Sequence, residues 1–404
     1  MKKMRVMSLA ATAAMTVSLL AGCGGSNSGS ASTPAPSAAG GSDAPAASSE
    51  AIKIGGIGPL TGSAAVYGVA TQQGAQLAVD EINAQGGLQF ELNFQDDEND
   101  TEKASNAYNN LKDWGMQILY GCTTTNPCVA VASSTSADRY FQLTPSASSS
   151  DVTAGKDNVF QMCFTDPNQG TTAADYIAEH AELGSKIAVI YNNGDAYSTG
   201  IATAFIAEAG AKGLDVVSQT TFPDDTNSDF SVQLGDAQSN GADLVFMPIY
   251  YTPASLILNQ AKSMGYAPTF FGCDGMDGIL ALDGFDTSLA DGLVLMTAFN
   301  PWGTDDLSAN FTKAYQEKFG TDPNQFAADG YDCIYAIAKA CEQAGVTADM
   351  SHEDVCDALI AQFTGSDFTV DGLTGSGMAW STNGEVSKAP VVIKVEDAKY
   401  VTIE

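Results

Sequence analysis

The run Ile52-Lys-Ile-Gly-Gly-Ile57, the segment from Tyr67 to Asn83, and the run Phe90-Glu-Leu-Asn-Phe-Gln95 carry the periodicities that decide the fold. The outer two are short and rich in Ile and Phe, the composition of strands. Between them Ala70, Gln73-Gly74, Leu77-Ala78 and Glu81-Ile82 recur at helical spacing, and Gly86-Gly87 stops the helix. Strand, helix and strand in this order predict parallel pairing, with helices covering the sheet.

The pattern repeats outward from that unit. Gln117 to Tyr120 and Tyr140 to Thr144 read as further strands. A second set follows, with strands at Lys186 to Tyr191, Asp215 to Thr221, Asp243 to Pro248 and Thr269 to Gly272, and helices near Thr199 to Lys212 and Ala254 to Met264. Two such sets predict two similar α/β lobes, and 404 residues exceed what one domain usually holds. Beyond them come a strand at Leu293 to Ala298, helices at Asp306 to Phe319 and Gln325 to Ala344, a helix beginning at Ser351, and a small hairpin from Val391 to Val395 and Tyr400 to Ile403.

The first 50 residues have a different character. Met1-Lys-Lys-Met-Arg5 precedes an uncharged run, and Leu19-Leu-Ala-Gly22 stands directly before Cys23. This resembles a bacterial lipoprotein leader, so residues 1–22 are expected to be a signal peptide and Cys23 an acylated first residue. The uncharged stretch falls short of the roughly 20 apolar residues a spanning helix needs. Residues 24–50 are Gly, Ser, Ala, Pro and Thr apart from Asn27, Asp43 and Glu50, a composition that builds no core and suits a flexible tether.

Charge and cysteines exclude several functions. Seventeen basic residues face 48 acidic ones, for a net charge of −31, which makes nucleic acid and anionic lipid poor partners. Any anionic ligand group must then be held by local dipoles. After Cys23, seven cysteines remain, an odd number; Cys122 and Cys128 flank a turn-like Thr-Thr-Thr-Asn-Pro and could bridge. Only two histidines, His180 and His352, and no paired Cys-x-x-Cys units argue against zinc. Asp96-Asp-Glu-Asn-Asp100 lacks the glycine and closing Glu of an EF-hand and reads as a solvated strand end. No catalytic elbow, zinc helix or phosphate loop occurs, so no enzyme, metal or cofactor is expected.

Hydroxyl-rich segments stand just after strands, where open α/β sheets bind ligands. Gly121-Cys-Thr-Thr-Thr125 follows one strand and Thr144-Pro-Ser-Ala-Ser-Ser149 the next. Small hydroxyls, free N–H groups and a helix N-terminus can hold a carboxylate without a basic residue. In the second set, Asp195-Ala-Tyr197, Tyr250-Tyr251 and Cys273-Asp274-Gly275 each follow a strand. A carboxylate and tyrosines there could grip an ammonium group.

These residues resemble the type I periplasmic binding proteins, specifically the leucine/isoleucine/valine-binding branch that feeds ABC transporters. The resemblance rests on Ile52-Lys-Ile-Gly-Gly-Ile-Gly-Pro-Leu-Thr-Gly62, Tyr67-Gly68, Ala78-Val-Asp-Glu-Ile-Asn-Ala-Gln-Gly-Gly87 and Asp96-Asp97, and covers nearly all of residues 51–404. It implies two Rossmann-like lobes joined by a three-crossover hinge, with crossovers near Asp166, Asn300 and Phe363: residues 51–166 plus 300–363 in lobe 1, and 167–299 plus 364–404 in lobe 2. Thr124 and Thr125, with Ser146, Ala147 and Ser148, would form the carboxylate site; Tyr197, Tyr250 and Asp274 would face it, and Tyr67 would border the side-chain pocket. Asp274 stands where the family's leucine binders commonly have Glu, one methylene longer.

The expected protein is a monomeric, extracytoplasmic lipoprotein anchored to the bacterial membrane. It would pass a branched-chain or other apolar amino acid to an ABC permease and its ATPase. A sensing module for amides, aromatic acids or other small nutrients could use the same cleft.

Overall fold

The computed structural model describes residues 50–223 and 228–403. The leader over residues 1–22, the acylation site Cys23 and the tether up to residue 49 lie outside the described residues.

The first sheet is built from β1 (Ile52–Gly58), α1 (Ala65–Gln85), β2 (Phe90–Asp96), α2 (Thr101–Trp114), β3 (Ile118–Gly121), α3 (Thr125–Asp138), β4 (Phe141–Thr144) and β5 (Val159–Gln161). Its order is β2-β1-β3-β4-β5, all parallel, with Ile54 in register with both Leu92 and Ile118. Side chains alternate across it as strand geometry requires. Ile52, Ile54, Ile118 and Tyr120 are buried on one face with Ala75 and Ala78 of α1, while Ile57 and Leu119 are buried on the other with Leu111 of α2 and Val131 of α3. Each fully buried aliphatic side chain contributes about 1.5–3 kcal/mol of transfer free energy.

The second set comprises α4 (Asp166–Glu179), β6 (Lys186–Asn192), α5 (Ala196–Lys212), β7 (Asp215–Phe222), α6 (Ser231–Ser239), β8 (Leu244–Met247), α7 (Tyr251–Met264), β9 (Thr269–Gly272) and β10 (Val294–Thr297). Ile187 and Val189 pack with Ile201 and Phe205 of α5, and Ala188 and Ile190 pack with Ile257 of α7 on the opposite face. Then come α8 (Asp306–Phe319), α9 (Gln325–Ala344), α10 (His352–Phe363), β11 (Val391–Glu396) and β12 (Lys399–Thr402). The closing hairpin does not stand apart: β11 pairs antiparallel with β10, giving the order β12-β11-β10-β9-β8-β6-β7.

In both sheets the chain reverses its direction of winding beside the first strand, between β1 and β3 and again between β6 and β8. Loops leaving the C-terminal ends of strands at such reversals frame a crevice.

Helices α9 and α10 return to the first sheet. Gly74 permits this, because a Cβ there would stand 1.9 Å from the carbonyl oxygen of Ala327 in α9. Phe363 corrects the expected third crossover. Its ring lies 4.9 Å from Phe141, 5.2 Å from Phe160 and 4.7 Å from Trp380, inside the first core. The next segment also stays there: Trp380 Nε1 donates to the Gln161 carbonyl at 2.8 Å, and Gln161 N donates to the Gly384 carbonyl at 2.8 Å. The chain therefore crosses after Val386, and of the tail β11 and β12 join the second sheet. Lys388 sits at that crossing, its ammonium buried against Asp329 of α9 at 2.7 Å and the Met162 carbonyl at 3.1 Å.

The acidic run is not uniformly solvated either. Asp96 accepts from Leu60 N at 2.8 Å and Thr61 Oγ1 at 2.7 Å, tying down the β1–α1 loop, and Asp97 is fully buried. Among the described residues no group of His, Cys, Asp or Glu is arranged to hold a metal ion, and no helix is long and apolar enough to cross a membrane.

Candidate functional site

The loops at the two reversals meet. Thr123, Thr124 and Thr125 lead from β3 into α3, and Ser146 follows β4; facing them across the crevice are Tyr197, Tyr250, Asp274 and Gly275, while Tyr67 and Phe326 close one side. The space left between them is about 10 Å³, room for about one water molecule, so the cleft stands nearly shut and must open to admit a guest. A wider surface groove bordered by Lys53, Gln117 and His352 lies at the opposite, N-terminal edge of β3.

The hydroxyl wall is partly committed to its own loop. Thr123 Oγ1 bonds Thr71 Oγ1 at 3.1 Å, and Ser146 Oγ donates to the Thr123 carbonyl at 2.6 Å, so the loop is held rigidly. Thr124 is the N-cap of α3, yet its side chain makes no capping bond, and its Oγ1 is buried with no hydrogen-bond partner. A buried hydroxyl left in that state costs about 1–3 kcal/mol, which a ligand acceptor would relieve. Thr125 and Asn126 are the first residues of α3, where backbone N–H groups have no partner within the helix.

Asp274 opposes this wall. It is buried, and its Oδ1 accepts from Tyr197 Oη at 2.8 Å. Its backbone is anchored twice, N donating to Gln169 Oε1 at 3.1 Å and the carbonyl accepting from Gln325 Nε2 at 2.9 Å. Burial pushes its carboxyl up to about 6 despite the Tyr197 bond. Gly275 N donates to Tyr197 Oη at 2.9 Å, and a Cβ at Gly275 would press to 2.7 Å from that oxygen. Tyr197 and Tyr250 stack with ring centroids 5.0 Å apart.

Tyr67 joins the two walls. Its hydroxyl donates to the Gly275 carbonyl at 2.5 Å and accepts from Tyr251 N at 3.1 Å, with its ring edge-on to Tyr251 at 4.8 Å. Further bonds cross at the rim: Tyr251 Oη accepts from Val66 N at 3.1 Å, Thr252 Oγ1 donates to the Ser63 carbonyl at 2.6 Å, and Asn126 Oδ1 accepts from Ala196 N at 3.1 Å. The lobes are thus in contact around the cleft.

Of the residues expected from sequence, Tyr67, Thr124, Thr125, Ser146, Tyr197, Tyr250 and Asp274 converge. Ala147 and Ser148 do not. Ala147 is buried in the core beneath the loop, and Ser148 Oγ donates to Asp166 Oδ1 at 2.7 Å, facing the first crossover. Thr123 and Gly275 were legible as neighbours of named residues. Phe326 was not, since it reaches the cleft only because α9 folds back onto α1. His180 and His352 stay away, stacked on Tyr176 and Tyr140.

The family model described as "Periplasmic binding protein" matches residues 51–399. The chain belongs to the periplasmic binding protein family. Members are extracytoplasmic solute-binding proteins of transporters, not enzymes. Among curated relatives, the "Leu/Ile/Val-binding protein homolog 3" of Brucella melitensis is 29% identical over 365 residues, spanning 87% of this chain and 94% of the relative. The "Leucine-, isoleucine-, valine-, threonine-, and alanine-binding protein" of Pseudomonas aeruginosa is 28% identical, spanning 77% and 83%. Among solved structures, the branched-chain amino acid transporter substrate-binding protein LivJ of Streptococcus pneumoniae, in complex with isoleucine, superposes with a TM-score of 0.78 at 27% identity, over 87% of this chain and 98% of that one. Two structures with benzoate-type ligands share the fold at 19% and 21% identity, each with a TM-score of 0.77.

Proposed function

We propose that this chain binds a zwitterionic, apolar amino acid of the leucine/isoleucine/valine class between its lobes and delivers it to an ABC permease. The observation that carries this reading is the polarity of the cleft. One wall offers the N-terminus of α3 with the unpartnered Thr124 hydroxyl, the other offers buried Asp274, and the lining contains no Lys, Arg or His. A carboxylate fits the first wall and an ammonium the second. In this reading Thr124, Thr125 and the α3 N–H groups hold the carboxylate, Ser146 braces their loop, and Tyr67 and Phe326 border the ligand side chain. Tyr197 and Tyr250 flank the ammonium, which pairs with Asp274. A benzoate-type acid would leave Asp274 buried without a counter-charge.

No bond is made or broken in this function. The lobes divide at the hinge crossings as residues 51–166 with 300–386, and 167–299 with 391–403. The leader and Cys23 support a lipid-anchored protein carried on a tether. Calorimetry with leucine, isoleucine, valine, threonine, benzoate and glucose tests the ligand class. Saturable binding of at least one of the amino acids is expected, and binding of benzoate or glucose alone would overturn it. Metabolic labelling with palmitate, lost in Cys23→Ser, tests the anchor.

A further inference from the structure

Cys122 and Cys128 bracket the loop that forms the hydroxyl wall. Cys122 follows β3, Cys128 lies in the first turn of α3, and between them stand Thr123, Thr124 and Thr125. Both are fully buried, and among the described residues they are the only cysteines in the core beneath the loop, with Ile57, Leu119, Val131 and Ala132. Both stand as free thiols in the structure. The Gln142 amide fixes the pair from behind, its Nε2 donating to the Gly121 carbonyl at 2.8 Å and to Cys128 Sγ at 3.4 Å. Cys273 lies in a core of the second lobe, and Cys333, Cys341 and Cys356 lie on the opposite face of the first sheet.

We propose that Cys122 and Cys128 are a redox pair that closes into a disulfide around the carboxylate-binding loop. The family is extracytoplasmic, and disulfides persist in oxidising compartments. With oxidised glutathione as the oxidant, one cysteine thiolate attacks a glutathione sulfur and expels a glutathione thiolate. The second cysteine thiolate then attacks the protein-side sulfur of the mixed disulfide and expels another. The protein loses two protons and two electrons, and two glutathione thiols are formed. Burial disfavours the thiolate in the folded chain, so the bond forms as the chain folds and is shielded once formed. The resulting ring of seven residues, from Cys122 to Cys128, restrains the unfolded chain and holds the loop's hydroxyls in place.

The test is independent of any ligand. The full chain is unfolded in reductant, refolded in a mixed reduced and oxidised glutathione buffer, then denatured, alkylated and digested for mass spectrometry. The expected result is a peptide, or linked peptides, containing both Cys122 and Cys128, unalkylated and about 2 Da lighter than the dithiol. The oxidised chain should melt about 3 °C above the reduced chain. Cys122→Ser and Cys128→Ser should each leave the other cysteine open to alkylation and remove the shift. Should either variant fail to fold, the wild-type digest decides alone. Full alkylation of both residues, linkage of either to another cysteine, or equal melting of the two forms would overturn the proposal.

Discussion

Acidification should weaken ligand binding through Asp274, by an amount the structure allows to be worked out. Burial raises this carboxyl to about 6 in the ligand-free cleft. An ammonium ligand needs it ionised, so protons and ligand compete for one site. The apparent dissociation constant then scales as one plus the ratio of protonated to ionised Asp274. That factor is close to 1 at about pH 7.4 and about 11 at about pH 5, a loss of roughly 1.4 kcal/mol. Neither charge of a free amino acid changes across this interval, so the ligand adds no slope of its own. Isothermal titration calorimetry at several pH values measures the curve directly. Asp274→Asn should bind far more weakly at neutral pH, by about 2–5 kcal/mol, because the ammonium loses its counter-charge. It should also show a flat profile. Wild-type affinity that stays within about twofold down to about pH 5 would refute the argument; so would a slope surviving in Asp274→Asn.

Three further outcomes follow from the packing. The ligand-free chain should melt higher at about pH 5 than at about pH 7.5: burial raises Asp97 to about 7 and Asp274 to about 6 in the folded state, so the fold takes up protons that the unfolded chain, near its usual carboxylate range, does not. A calorimetric melting temperature that falls on acidification across this window would contradict that sign. Tyr67→Phe strands the Gly275 carbonyl and Tyr251 N, and should weaken binding about 5- to 30-fold while small-angle scattering shows a wider ligand-free molecule; unchanged affinity would show that the hydroxyl does not hold the lobes together. Lys388→Met leaves Asp329 buried beside no cation and should cost about 3–5 kcal/mol of stability, largely recovered in the double variant with Asp329→Leu; an unchanged denaturant midpoint in the single variant would refute this.

Much of this molecule was legible in residue order because its strands announce themselves locally. β1, β2 and β6 to β9 stand as short apolar runs, and the reversal in winding beside β1 and β6 follows from the fold class. Helix α2 was readable too, since Asp100 caps it by accepting from Glu102 N and Lys103 N and Gly115 ends it in the left-handed region. Its cap was absorbed into the acidic run instead. β5 is three residues long and carries no periodicity. The third crossing was hidden for a different reason. Residues 364–386 form no named strand or helix, touching at isolated bridges such as Val370 with Met378, and they are held by Trp380 and Gly384 to atoms more than 200 positions earlier. The same limit explains the site. Thr124, Tyr197 and Asp274 follow strands and could be named from position, whereas Phe326 enters through an α1–α9 contact that only tertiary structure makes. Ser148 carried the right chemistry at the right place, and one bond to Asp166 turned it away.

The buried carboxylate also bears on cargo checking. Rim bonds from Val66, Ser63 and Asn126 need no guest, so nothing in them prevents the molecule from shutting while empty. Asp274 does. Sealed in its ionised form with no cation in the lining, it carries a charge without a counter-ion into a dry interior, a cost of several kcal/mol that an ammonium guest removes. Shutting is therefore costlier for a vacant molecule than for a filled one, and the shut outline that a transporter would meet is enriched in filled clefts.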